Sequence, residues 1–349
     1  MAQSDNTTKI VEQLDLERKS VDTESYDLIL RQLVDMVKDK TIDIAPAYQR
    51  HFVWNDDRQS ELIESIFLSI PVPPLFFAEN KNGTLEVIDG VQRISTIIHF
   101  VGLSELLKTI DRESPLRLSG LKQLDQFNGK TFEELPPSVR NRFLLRSLRV
   151  TSLNDKSDDN VRYALFERLN TGGVSLHPQE IRNCVFRGKL NSFLRELNNS
   201  ADFRAVVNVA ANKQVDAILE EYVLRFFAYL ERYKDFDQSV EGFLNDYMRD
   251  RLNDLPAKRF IDAFHQTFAF LRSELRHGIV GRTRVTPVNV YEGISVGTAL
   301  VYIARKEPKR RVAARLLTDA EFKKFTSAGT NARRMVLGRI EYARDKLMP

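Results

Sequence analysis

The sequence has few residues suited to covalent cross-links or to transition-metal sites. It holds one cysteine among 349 residues, Cys184, so it can form no intramolecular disulfide and no cysteine-built metal site. The histidines are scattered singly at five positions: His51, His99, His177, His265 and His277. Zinc proteases and His-Asn-His nucleases need paired histidines, so both classes are excluded for this sequence. The Gly-x-Ser-x-Gly elbow of the α/β-hydrolases is absent as well.

Long apolar runs are also absent. The most apolar stretch, Ile70 to Ala78, is interrupted by prolines, and no segment approaches the roughly eighteen apolar residues of a membrane-spanning helix. The first residues lack the basic-then-apolar pattern of a signal peptide, so we expect a cytoplasmic protein with no membrane partner. Hydrophobic residues at 42% and charged residues at 29% exclude disordered, collagen-like and disulfide-scaffold proteins.

A phosphate-binding P-loop is excluded by its spacing. Gly129-Lys130-Thr131 resembles the end of that motif, but the first glycine of the motif would fall at Leu124. Without that glycine the loop cannot wrap a phosphate, so the pattern predicts only a turn.

The net charge of +4 is unevenly distributed. Residues 301–349 hold 13 Lys and Arg against 5 Asp and Glu, whereas the first 300 residues hold 39 against 43. Positive charge collected at one end is typical of a polyanion partner such as DNA, although a solvated basic helical surface gives the same pattern. The candidate phosphate contacts are Lys306, Lys309, Arg310, Arg311, Arg333 and Arg334.

The hydrophobic pattern predicts an α+β protein with two folded domains. We expect a loose polar arm over residues 1–25, a mixed α/β domain over 26–175 and an all-helical domain with a basic end over 176–349. In the mixed domain, the patterns predict helices over 26–38, 57–70, 92–101 and 160–169 and strands over 75–78, 85–88 and 148–153.

The most informative local pattern is Asp89-Gly90-Val91-Gln92-Arg93. It places a tight turn between a buried strand and the N-terminus of a helix, where backbone N–H groups favour anions. Gly90 allows close backbone approach to a ligand, Arg93 can bind phosphate, Asp89 can hold a metal or a water, and Gln92 can orient that water. The structural alternative is a turn in which Asp89 caps the helix and Arg93 pairs with a carboxylate.

Two further polar groups are candidates for the same site. Tyr48-Gln49-Arg50-His51-Phe52-Val53-Trp54 interleaves aromatic and cationic residues, which suits stacking and phosphate contact. The alternative is that Phe52 and Trp54 anchor the core while Arg50 is exposed. Glu61 and Glu64 share one helix face and either line the same pocket or are solvated.

Together these motifs resemble a known family. Tyr48-Gln49-Arg50 with Trp54, Leu62 to Ile66, Pro71-Val72-Pro73-Pro74 and Val87 to Arg93 follow in the order and spacing of the N-terminal domain of the GmrS/GmrD modification-dependent restriction system. That domain belongs to the ParB and sulfiredoxin-like fold group and carries an Asp-Gly-Gln-Gln-Arg motif. Phe127 to Phe132, Phe166 to Gly173 and Val223 to Ala228 also resemble family signatures.

The resemblance implies a ParB-like nucleotide-binding domain in an antiphage protein that hydrolyses a nucleoside triphosphate. Carried over by position, Asp89, Gly90, Gln92 and Arg93 form the site, with Gln49 and Arg50 on its rim. Val91 stands where the family has its first glutamine, which removes one polar contact and bears on hydrolysis more than on binding. The His-Asn-His nuclease domain of longer members is missing, so DNA cleavage would need this domain itself or a partner nuclease.

The resulting hypothesis has catalytic residues Asp89, Gln92 and Arg93, with Asp89 as the Mg²⁺ ligand and an NTP as substrate. It predicts that Arg93→Ala abolishes phosphate binding without unfolding the protein. The main alternative is a DNA- or nucleotide-binding module without turnover, acting with a partner nuclease. A direct metal-dependent nuclease has the least support. The helical domain could also form a homodimer.

Overall fold

The computed structural model describes residues 22–44, 52, 54–80, 82–154, 159–169, 177–210, 215–237, 239–280, 284–327 and 329–349. The chain divides into two compact units, Met1–Leu176 and His177–Pro349. The first is mixed α/β and the second is helical, so the α+β prediction is confirmed. No helix among the described residues is both long and apolar enough to cross a membrane.

The first unit contains a five-stranded mixed sheet. Its strands are β1 (Thr23–Ile29), β2 (Ile42–Asp43), β3 (Leu75–Glu79), β4 (Leu85–Asp89) and β5 (Ser147–Leu153). They lie in the order β1-β5-β3-β4-β2. β3 pairs in antiparallel fashion with β4 and in parallel with β5, which places β3 at the centre of the sheet.

Six helices among the described residues complete this unit. They are α1 (Leu30–Lys38), α2 (Asp56–Phe67), α3 (Val91–Val101), α4 (Ser104–Leu107), α5 (Pro137–Leu144) and α6 (Asp159–Leu169). Every residue of α3 from Arg93 onward is buried, which is typical of a helix inside a core rather than on a surface. α3 therefore fixes the position of the turn that precedes it.

The N-terminal edge of the unit differs from the sequence prediction. Residues 23–25 begin strand β1, so the loose arm predicted over 1–25 is too long at this end, and α1 begins at Leu30 rather than at Tyr26. Tyr26 and Leu28 face inward and pair with Val150 and Leu148 of β5, following the two-residue period of a strand. Leu28 also fits the helical spacing that continues through α1, which explains the error.

The second unit contains ten helices among the described residues. They are α7 (Pro178–Val185), α8 (Lys189–Asn198), α9 (Ala201–Val206), α10 (Val215–Arg232), α11 (Val240–Asp250), α12 (Lys258–Glu274), α13 (Val288–Ile303), α14 (Val312–Leu316), α15 (Ala320–Thr326) and α16 (Arg333–Leu347). Its core includes a cluster of packed aromatic rings, with Phe226, Phe227, Phe264 and Phe268 in mutual contact.

A buried ionic network joins the helices of this unit. Glu221 accepts from Arg182 at 3.0 Å and from Arg225 at 2.7 Å, and Arg225 also donates to Glu292 at 2.7 Å. Arg339 of α16 pairs with Glu292, and both side chains are about 1% exposed. Burial opposes ionisation of Glu221, but the two guanidinium groups and nearby His177 lower its pKa to about 2.

Candidate functional site

The Asp89–Arg93 turn joins the end of β4 directly to α3. Gly90 is the N-cap residue of α3 and has φ +115°, a conformation that other residues rarely adopt. A Cβ atom on Gly90 would lie 2.4 Å from Cδ2 of Leu75 in β3. Glycine is therefore required here both by the backbone angle and by close packing against the neighbouring strand.

The Arg93 side chain points into the protein and holds the turn together. Its Nη1 donates to the carbonyl oxygens of Pro73 and, at 3.0 Å, Pro74, and its Nη2 donates to Asp89 Oδ2 at 2.5 Å. The Arg93 side chain is only 10% exposed, whereas that of Asp89 is 44% exposed. In this geometry Arg93 makes the structural ion pair that was the alternative interpretation, and a bidentate grip on phosphate would require these contacts to rearrange.

Gln92 connects the turn to the segment before α2. Its side-chain Oε1 accepts from the Trp54 backbone N–H at 3.3 Å. The Trp54 indole packs against the core, and the Arg58 guanidinium lies 4.4 Å from its ring centroid. Trp54, the last residue of the aromatic and cationic cluster predicted from the sequence, therefore lies at the turn. Gln49 and Arg50, the predicted rim residues, lie outside the described residues.

Two buried side chains that the sequence did not single out support this arrangement. Gln59 is fully buried in α2, and its Nε2 donates to the Trp54 carbonyl at 2.8 Å. His99 of α3 is 5% exposed; its Nδ1 lies 2.7 Å from Gln59 Oε1 and its Nε2 lies 3.0 Å from the Ser114 carbonyl oxygen. A histidine among apolar helix positions was the available signal, but its partners come from other elements.

The residue after the turn glycine, Val91, is half-buried and packs against the hydrophobic core. It fills the position of the first family glutamine with an apolar side chain. The turn consequently offers one glutamine, Gln92, for polar contact with a ligand.

The carboxylate of Asp89 is the one predicted metal ligand. Among the described residues no group of three or more His, Cys, Asp or Glu side chains could hold a metal ion. Mg²⁺ is commonly bound through one or two carboxylates together with waters and substrate phosphates. A half-exposed Asp89 fits this role only if phosphates bring the remaining oxygen ligands.

Glu64 has a structural role. Its Oε1 accepts from the backbone N–H groups of Gln123 and Leu124, each at 2.9 Å. Asn128, in the segment that resembles the Phe127–Phe132 signature, makes hydrogen bonds with both the N–H and the carbonyl of Leu121. Glu64 and this signature therefore order a loop, while Glu61 is exposed on α2.

The predicted DNA contacts are exposed and form two groups. Lys306, Lys309, Arg310 and Arg311 precede α14, and the Lys309 N–H donates to the Leu347 carbonyl at the end of α16. Arg333 and Arg334 are the first two residues of α16, a 15-residue helix about 21 Å long. The structure thus places the two groups at opposite ends of one helix.

Comparison with known protein families gives a match for the part of the chain that contains this turn. Residues 30–187 match the family model for the GmrSD restriction endonuclease, N-terminal domain. Comparison with curated proteins and with solved structures gives no match.

The match supports a protein related to restriction systems. Residues 30–187 match the model of the GmrSD N-terminal domain family, which confirms the resemblance found in the sequence. The matched residues include the whole turn and end before the two basic groups.

Proposed function

We propose that the turn formed by residues 89–93 binds and hydrolyses a nucleoside triphosphate, and that this reaction is coupled to DNA recognition in an antiphage restriction system. The observation that carries the proposal is the preformed Asp-Gly-x-Gln-Arg turn at the N-terminus of α3, within the residues that match the family. A helix N-terminus next to a glycine turn favours phosphate oxygens.

Each residue of the turn then has a distinct role. Gly90 lets the backbone approach the phosphates, Gln92 contacts the transferred group or its water, and Asp89 contributes one ligand to a Mg²⁺ ion that arrives with the nucleotide. When bound, that ion would neutralise phosphate charge. The Arg93 guanidinium bridges Asp89 and the Pro73 and Pro74 carbonyls. It gains a phosphate contact only if these hydrogen bonds rearrange.

The basic groups at the two ends of α16 supply the proposed DNA contact. Lys309, Arg310 and Arg311 form one group and Arg333 with Arg334 the other, and all five side chains are exposed. A spacing of about 20 Å along one helix suits two contacts to the backbone of the same duplex. Cleavage of that DNA would come from a partner nuclease.

A second candidate function is nucleotide or DNA binding without turnover. It is favoured by two observations, the ion pair that the buried Arg93 makes with Asp89 and the apolar Val91 in place of the family glutamine. In this version the turn holds a nucleotide as a structural element, and the partner nuclease performs all the chemistry.

Both candidate functions have the turn bind a nucleotide, and a direct binding measurement tests this. ATP, GTP, CTP and UTP would be titrated by calorimetry with and without Mg²⁺ into the wild-type protein and into Gln92→Ala, with Gln123→Ala as the matched control on an exposed loop. We expect binding that weakens at least tenfold in Gln92→Ala and is unchanged in Gln123→Ala. Equal affinities in all three proteins would place the nucleotide elsewhere.

A further inference from the structure

A continuous line of hydrogen bonds, one buried and three partly buried, runs from the turn through the buried side chains of Gln59 and His99. It begins at Gln92 Oε1, passes through the Trp54 backbone and the Gln59 amide to His99, and ends at the Ser114 carbonyl. The successive distances are 3.3, 2.8, 2.7 and 3.0 Å. We call these five residues the His99 network. Because Gln59 and His99 are buried, water cannot readily replace their hydrogen bonds.

Counting protons in the His99 network shows which charge state completes it. The Ser114 carbonyl can only accept, so His99 Nε2 must carry a proton to donate to it. Gln59 Nε2 donates to the Trp54 carbonyl, which leaves Gln59 Oε1 as an acceptor facing His99 Nδ1. All contacts are satisfied only when His99 Nδ1 also carries a proton, that is, when the ring is an imidazolium.

A neutral His99 leaves one repulsive contact in every arrangement. Either ring tautomer places a nitrogen lone pair against an oxygen, at Ser114 or at Gln59. Rotating the Gln59 amide lets Nε2 donate to His99 Nδ1, but it then turns Oε1 towards the Trp54 carbonyl. With the rotated amide, the cost of a neutral His99 falls on the hydrogen bond between Gln59 and the Trp54 carbonyl.

We propose that His99 is a positioning residue that acts through Gln59 to hold Trp54 and Gln92 at the turn, and that protonation of His99 completes this network. The inference rests on the proposed function for its effect on nucleotide binding, whereas its effect on Trp54 is independent of any ligand. It assigns no contact between His99 and the nucleotide.

The surroundings of His99 determine where protonation occurs. Burial lowers the pKa of His99 from its usual 6.5, the Ser114 hydrogen bond raises it, Arg112 lowers it and Asp56 raises it, with the net effect downward. The Phe52 ring packs edge-on against His99 at a centroid distance of 5.8 Å, and the Arg112 guanidinium lies 5.0 Å from the Phe52 centroid. Within the described residues, the charged groups facing His99 are thus Arg112 after α4 and Asp56 at the start of α2. The network should be complete below the pKa of His99 and strained above it.

The sole tryptophan of the protein gives a direct readout, because Trp54 is itself a member of the network. Its fluorescence would be recorded from pH 4.5 to 8.5 in the wild type, His99→Asn, Gln59→Leu and His51→Gln. His51→Gln is the matched control, since it removes the histidine nearest to Trp54 in sequence. In parallel, the His99 imidazole would be titrated by NMR in the wild type and in Gln59→Leu.

We expect one wild-type fluorescence transition with a midpoint below 6.5 that coincides with the NMR titration of His99. His99→Asn should lose the transition and His51→Gln should keep it. In Gln59→Leu, His99 should still titrate by NMR while the Trp54 emission no longer follows it, which separates loss of coupling from unfolding. A flat wild-type curve, a transition retained in His99→Asn, or one lost in His51→Gln would overturn the inference.

Nucleotide affinity measured over the same pH range separates this inference from the proposed function. If both hold, ATP should bind at least threefold more tightly below the fluorescence midpoint than above it, and this dependence should vanish in Gln59→Leu. If the fluorescence results are as expected but no nucleotide binds at any pH, the positioning of Trp54 by His99 stands and the proposed function fails.

Discussion

At the scale of single residues, the turn depends on contacts that cannot be predicted from the sequence of residues 89–93 alone. From the sequence, Arg93 would be an exposed cation at the start of a helix. In the structure its guanidinium is buried and donates hydrogen bonds to two proline carbonyls and to Asp89. Those carbonyls lie about twenty residues earlier in the chain, so only the folded sheet brings them to Arg93. The expectation that Arg93→Ala leaves the protein folded therefore needs revision.

Substitution of Arg93 should destabilise the first unit. Arg93→Ala removes three hydrogen bonds and leaves the partly buried Pro73 and Pro74 carbonyls without this donor, so the free energy of unfolding should fall by about 2–4 kcal/mol. Urea unfolding followed by Trp54 fluorescence measures this change. Arg142→Ala, on the exposed surface of α5, is the control and should change stability by less than about 0.5 kcal/mol. Equal small effects would contradict the structural role of Arg93.

Gly90 offers a second test at this scale. Gly90→Ala combines a positive φ with a clash against Leu75, whereas Gly129 has φ +76° and no atom within 4 Å of an added Cβ. Gly129→Ala should cost about 1 kcal/mol from the backbone alone, and Gly90→Ala should cost at least about 1 kcal/mol more. Urea unfolding of the two variants gives the difference, and equal costs would show that Leu75 moves aside freely.

At the scale of elements, local patterns predicted the hairpin and α3 well. The hydrophobic pattern of the strand and the glycine at position 90 predict the boundary between β4 and α3 within a residue or two. Both are local features of the sequence. The sheet order could not be predicted, since β5 pairs with β3 across more than seventy residues. β1 was missed because Leu28 satisfies strand and helix spacing together. The His99 network was missed because its members come from separate elements.

The two basic ends of α16 give a prediction for DNA binding. If both contact phosphates, Lys309→Gln with Arg310→Gln and, separately, Arg333→Gln with Arg334→Gln should each reduce the slope of log affinity against log salt by about 2. Fluorescence anisotropy with a labelled duplex at several salt concentrations measures the slope. Lys258→Gln, an exposed lysine in α12 paired with Asp262, is the control. Slopes unchanged in both double variants would contradict the proposed DNA contact.

At the scale of the whole molecule, the helical unit should lose stability as the pH falls. Glu221 has its pKa lowered to about 2 from an ordinary 4.5, so its contribution to stability is present above pH 4.5 and is lost as the pH falls towards 2. The loss should amount to about 3 kcal/mol for the helical unit. Burial also lowers the pKa of His177, which adds to the destabilisation of this unit as the pH falls below 6.5.

Hydrogen exchange of the α10 amides between pH 6 and pH 3, corrected for intrinsic rates, measures this loss in the helical unit. Glu221→Gln should be less stable at pH 6 and should show a smaller decrease on acidification than the wild type. The exposed Glu196→Gln is the control and should behave as the wild type. An α10 whose protection is constant down to pH 3 would contradict the role of the buried network.

The proposed function requires that the Asp89–Arg93 turn binds and hydrolyses a nucleoside triphosphate. The most direct test is phosphate release from ATP, GTP, CTP and UTP with Mg²⁺, with and without duplex DNA, by the wild type and by Gln92→Ala, a substitution that leaves the Arg93 contacts in place. We expect the wild type to hydrolyse at least one nucleotide and DNA to stimulate this hydrolysis. The rate of phosphate release should fall at least tenfold in Gln92→Ala. Turnover that is equal in the two proteins would contradict the proposed function, as would a folded wild-type protein that neither hydrolyses nor binds any nucleotide.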